Sequence, residues 1–132
     1  MNTIAKLLLL ISISCSAAST NKEQIDYLLA QLKKSEATFI RNGKTHTAEE
    51  AYDHIVFKLN YVKKAFFFFG PEKDIPVEEF ITKLASKSST TNKPYYMILP
   101  GQKEKITVEK WFRDQLLKFN NLPKANNVSK ED

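Results

Sequence analysis

Both histidines of this chain, together with an arginine and a lysine, fall within twenty residues. Arg41, His46, His54 and Lys58 are the side chains there best able to do chemistry. Glu50, His54 and Lys58 are spaced by four, so a helix places them in one row. His46, Glu50 and His54 share that spacing, which is the spacing of a helical metal site. Three features argue against a metal. Thr47, as a helix cap, leaves His46 outside regular helix, no cysteine assists, and Lys58 continues the row as a cation. No metal ligand and no cofactor are therefore assigned. Either histidine can serve as the base for Ser86, Ser88 or Ser89 if the serine segment folds over the helix. The sequence lacks the Gly-x-Ser-x-Gly elbow, and the acids on offer, Glu50 and Asp53, adjoin His54 too closely to be distinctive. Serine-dependent hydrolysis stands as the enzymatic alternative.

These residues need elements to position them. Asn42 and Gly43 supply the positive φ of a type I′ turn, so short strands are predicted on either side, over residues 38–41 and 44–46. Thr47 followed by Glu50 is a capping box and predicts a helix from about residue 48. Its apolar stripe is Ala51, Ile55, Leu59 and Val62, and His54 and Lys58 fall on the same side. A lysine within such a stripe either reaches out to water or pairs with a buried acceptor. The stripe continues through Ala65, Phe66 and Phe69 until Gly70 and Pro71 end the helix. Phe67 and Phe68 fall off it and are expected to pack under the following loop, the alternative being an exposed patch for a partner.

A first helix is predicted over residues 20–37, capped by Thr20 or Asn21, with Ile25, Leu28, Leu29, Leu32 and onward to Phe39 in its row. Asp74, Pro76, Glu78 and Glu79 suit the opening of another, whose buried side is Val77, Phe80, Ile81 and Leu84. Residues 86–94 are rich in hydroxyls that compete for backbone hydrogen bonds, and so form a loop. Tyr95 to Leu99 is a strand, Pro100 to Gln102 a turn, and Lys103 to Ile106 the returning strand. Thr107 caps a last helix with Trp111, Leu116 and Phe119 facing inward, and Phe112 or Leu117 flanking. The fold class is α+β, with about four helices packed on a small antiparallel sheet built from two hairpins. The expected core is Ile25, Leu28, Leu32, Ile55, Leu59, Phe80, Leu84, Ile98 and Trp111.

Residues 1–18 read as a secretory signal peptide. Lys6 precedes an apolar run from Leu7 to Ile13, and Ser16 to Ala18 supply small residues for cleavage. The run is too short to span a membrane with a stop-transfer flank, as is the run of four phenylalanines at 66–69. Cys15 raises lipid attachment as the less favoured outcome, because Ser12 stands where a lipoprotein signal carries leucine. Removal of the signal takes one lysine and no acid from the formal +5, leaving +4 on about 114 residues without cysteine. That is one domain, over residues 19–119, held by a core rather than by disulfides. Residues 120–132 lack an apolar period and read as a flexible tail. The modest charge, without interleaved aromatic and basic residues, gives no support for nucleic-acid binding.

Three motifs carry a resemblance. Phe39, Ile40, Arg41, Asn42 and Gly43 with His46, then Ala51, His54 and Lys58, then Ser86, Ser88, Ser89, Thr91, Pro94 and Tyr95 resemble, in that order, the YfeK-like family of small exported bacterial proteins. The resemblance covers roughly residues 20–119 and implies a Gram-negative periplasmic protein. It implies no activity, the family being a domain of unknown function. Asn92 stands where the family has glycine, and residues 66–75 are longer than usual. Carried over, the family's residues are Arg41, His46, His54, Lys58, Ser86, Ser88, Ser89, Thr91 and Tyr95. Positive charge among hydroxyls suits an anion such as a carboxylate, a phosphate or an acidic sugar. The same residues can instead serve only the fold, with Arg41 and Lys58 tying carbonyls of the serine loop to the helix. The reading is a non-enzymatic periplasmic binding or scaffold module for an anionic envelope component or a partner protein. The signal reading has a direct test: intact mass of protein from the periplasmic fraction is expected to match a chain starting at Ser19 or Ala18. The mass of an acylated chain starting at Cys15 would overturn it.

Overall fold

The computed structural model describes residues 18–67 and 74–124. The expected signal peptide (except Ala18), Phe66 to Phe69 as side chains, the Gly70 and Pro71 stop, and the tail beyond Lys124 lie outside the described residues. Among the described residues, the chain runs α1 (Asn21–Lys34), β1 (Thr38–Arg41), β2 (Lys44–His46), α2 (Ala48–Phe67), α3 (Val77–Glu79) continuing as a π-helix (Phe80–Ala85), β3 (Tyr96–Ile98), β4 (Ile106–Thr107) and α4 (Val108–Asn120). The strands form one antiparallel sheet in the order β2-β1-β3-β4. This is the α+β architecture of helices on two joined hairpins.

Local chemistry explains most of the boundaries. Thr20 and Glu23 close a capping box at the start of α1. Thr47 Oγ1 accepts the Glu50 N–H at 3.1 Å while Glu50 Oε2 accepts the Thr47 N–H at 2.8 Å, starting α2. Asn42 and Gly43 take φ of 50° and 76°, as the type I′ turn between β1 and β2 requires. Thr107 Oγ1 accepts the Lys110 N–H at the start of α4.

α1, α4 and the π-helical segment each bury one face in a shared core. Phe80, Phe112, Leu28, Leu32, Ile81, Met97 and Val108 are the largest fully buried side chains of the core. The Phe80 and Phe112 rings meet edge-on at 5.8 Å. Ile25, Ile55, Leu59 and Trp111 are buried as expected.

Several expectations are corrected, among them the returning strand, which is Ile106–Thr107 and does not start at Lys103. The first helix does not reach residue 37: α1 stops at Lys34, and Glu36 takes φ of 52°. Phe39 enters the core from β1 and not from a helical row. Ile98 is only half-buried, and Met97 takes its place, paired with Phe39 and Ile106. Leu84 is also half-buried, and Ala85 is the buried residue. The segment winds as a π-helix, whose wider turn departs from the α-helical row that would face Leu84 inward, and Phe80, Ile81 and Ala85 are its buried residues. In α4, Phe112 is the fully buried ring, whereas Leu117 is exposed.

Leu59 faces this core from the middle of α2 at 6% exposure. Leu59→Ala is expected to cost about 2–5 kcal/mol in denaturant unfolding. A loss within measurement error would place the residue on the surface.

Candidate functional site

The end of the first hairpin, the middle of α2 and the hydroxyl loop converge on one open cleft of about 550 Å³. Each element contributes for a local reason. The two-residue turn pairs Arg41 directly with Lys44 across the hairpin, and both line the cleft. Like charges set opposite each other on a sheet repel. The helical spacing of α2 brings His54, Lys58 and Tyr61 to one wall, with Phe57 beside them. The loop between the π-helix and β3 brings Ser88, Ser89 and Thr90, and Tyr95 follows at its end.

That loop is tightly self-bonded. Ser86 O accepts the Tyr95 N–H at 2.8 Å, and the Ser88 N–H donates to Lys93 O at 2.9 Å. Asn92 takes φ of 59°, the left-handed conformation that asparagine tolerates well. Ser88 Oγ shares a hydrogen bond with Thr90 Oγ1 and accepts the N–H groups of Thr90 and Thr91. Thr91 Oγ1 donates to Asn42 Oδ1 at 3.1 Å, which fastens the loop to the hairpin turn.

Lys58 is 8% exposed, and its Nζ donates to Lys87 O at 2.9 Å. The ammonium also lies 5.4 Å from the centre of the Tyr95 ring. Thus the lysine does tie the serine loop to the helix. Burial first, then Arg41 and Lys87, push its amine down to about 8. His54 Nε2 is 3.3 Å from the Tyr95 hydroxyl, in a hydrogen bond whose direction follows the imidazole tautomer. Burial, then Arg41, Lys58 and His46, lower His54 to about 4, so it is neutral at pH 7. Burial pushes the Tyr95 phenol up against the pull of Arg41.

His46 turns Nδ1 toward Glu50 Oε2 at 3.7 Å, while its buried Nε2 has no hydrogen-bond partner. It also lines a small hollow of about 30 Å³, with Arg41, Glu50, His54 and Tyr95, of which Arg41, His54 and Tyr95 line the cleft as well. Among the described residues, no three His, Cys, Asp or Glu side chains are grouped to hold a metal.

Of the residues singled out in sequence, Arg41, His46, His54, Lys58, Ser88, Ser89 and Tyr95 line the cleft. Ser86 and Thr91 do not: Ser86 is buried with Oγ unpartnered, and Thr91 serves the loop-to-turn clasp. Among the described hydrogen bonds, none joins a serine hydroxyl to either histidine. Sequence reasoning missed Lys44, Phe57, Tyr61 and Thr90. Lys44 had a signal, because an Asn-Gly turn pairs the residues that flank it. Phe57 and Tyr61 are aromatic residues four apart and off the apolar stripe, a pattern that marks an exposed face.

Residues 19–120 match the profile of DUF5329, described as a family of unknown function. The chain belongs to that family. The chain is also similar to the Uncharacterized protein YfeK of Salmonella typhimurium (strain LT2), 33% identical over 93 residues, covering 70% of this chain and 71% of that protein. No solved structure matches. The DUF5329 match spans both hairpins, α1, α2, α4 and the hydroxyl loop, so it takes in every wall of the cleft.

The lowered His54 has a consequence for stability. Unfolded, the imidazole takes its proton near 6.5, but in the fold only near 4. Between those values the unfolded chain holds more protons, so stability rises with pH across the window and is lost on acidification through it. Urea midpoints from pH 6.5 to 4 are expected to fall faster for the wild type than for His54→Gln. Parallel curves would place His54 in open solvent.

Proposed function

We propose that this DUF5329 protein is an exported, periplasmic, non-enzymatic binding or scaffold module whose cleft captures an anion, from an envelope component or from the acidic surface of a partner protein. One observation carries the reading. Arg41, Lys44 and Lys58 line a single cleft, and no carboxylate stands among its described lining residues. Cations held together without counter-charge raise one another's energy, and an anion relieves that repulsion. The volume lies within the ~300–1,000 Å³ of ordinary small-ligand sites. No helix among the described residues is long and apolar enough to cross a membrane.

The serine-hydrolase alternative draws less support. Ser88 Oγ is engaged by the turn around it, Ser86 is buried away from the cleft, and His54 is engaged by Tyr95. Ser89 is the serine left exposed at the cleft.

Capture from an envelope extract on immobilised protein tests the proposal. The wild type is expected to retain acidic material that salt elutes, and Lys58→Met and Arg41→Gln are expected to lose it. Melting curves of both variants control for loss of the loop tie. Identical material captured by all three proteins would remove the anion reading.

A further inference from the structure

The cleft has more than charge. Phe57 and Tyr61 lie one turn apart on α2, line the cleft, and are each 68% exposed. Side chains four apart on a helix are neighbours, so both rings stand on the same exposed face of α2 and form an aromatic border to the cleft. A lone exposed aromatic needs no explanation, but a pair at the mouth of a cationic cleft sets a condition on the ligand. The hydroxyl loop sets a second condition, because Ser89 and Thr90 offer donors and acceptors at the same cleft.

We infer that the ligand is an acidic saccharide, its sugar ring lying on the Phe57 and Tyr61 patch and its carboxylate or phosphate held by Arg41 and Lys58. The inference rests on the anion-binding proposal and narrows it. A pyranose presents axial C–H groups on one face, and these suit the electron-rich face of an aromatic ring. Its hydroxyls point outward around the ring, where short hydroxyl side chains can pair with them. An inorganic anion would satisfy the cations and leave the aromatic patch in water. An acyl chain or aryl acid would cover the patch and displace water from the loop hydroxyls without replacing their hydrogen bonds. An acidic sugar meets all three surfaces at once. The charge can come from a uronic carboxylate or from a sugar phosphate.

Calorimetric titration of the full chain with four probes tests this: a digalacturonate, a hexose 6-phosphate, the neutral hexose, and inorganic phosphate. One or both acidic sugars are expected to bind more tightly than the neutral hexose and than phosphate, and which of them binds identifies the acid. Phe57→Ala with Tyr61→Ala, both at exposed positions, is expected to weaken acidic-sugar binding about tenfold while phosphate binding is unchanged. Circular dichroism confirms that the double variant is folded. Phosphate binding as tightly as the acidic sugars, a neutral hexose binding equally well, or a double variant that binds like the wild type would each overturn the saccharide assignment. In the first and last of these, the anion site itself stands. Failure of all three anionic probes to bind would overturn both.

Discussion

An ammonium set into the apolar side of a helix must find an acceptor, because burial of an unpaired charge costs several kcal/mol. Lys58 meets that constraint through Lys87 O at 2.9 Å and the face of Tyr95. Much of the surrounding structure follows from it. The carbonyl is available because the loop turns back on itself through Ser86, Ser88 and Asn92. The aromatic face is there because Tyr95 lies next to β3 with its N–H already given to Ser86 O. The loop in turn is fastened to the first hairpin by Thr91 and Asn42. One lysine therefore joins α2 to the loop, and the loop joins both hairpins.

The same lysine makes the cleft electrostatically unusual. A purely structural tie would gain from a nearby carboxylate, but the groups that act on Lys58 are Arg41 and Lys87, both cations. His54 is lowered by burial, Arg41, Lys58 and His46. Arg41 and Lys44 oppose each other across the hairpin. Proteins concentrate such mutually unfavourable groups at sites where a ligand resolves the conflict. Tying the loop and receiving an anion are compatible roles, since the carbonyl of Lys87 takes one of the three protons an ammonium can donate.

Turn and cap signals were legible because they act over a few residues. Asn42 with Gly43, Thr47 with Glu50 and Thr107 each occur in the structure where the sequence places them, and of the two caps open for α1, Thr20 and Asn21, the structure uses Thr20. Faces were less legible. Tyr95 to Leu99 is apolar throughout, so no alternation shows which residues point inward, and the pairing of Phe39 with Met97 decides it. The sequence around Phe80 to Ala85 fits an ordinary helix, and the π turn that moves Leu84 to the cleft has no local marker.

By itself the sequence determined the α+β class, the element order, the Asn-Gly turn that sets Arg41 beside α2, and the lysine in an apolar stripe. These rest on local propensity and period, which neighbouring residues carry between them. Only the tertiary structure decided what Lys58 bonds, that Ser86 and Thr91 stay out of the cleft, and that Phe57 and Tyr61 border it. Each of those depends on how a loop, 29 residues away in sequence at the Lys58–Lys87 tie, closes over the helix, and such long-range closure leaves no periodic trace in the chain.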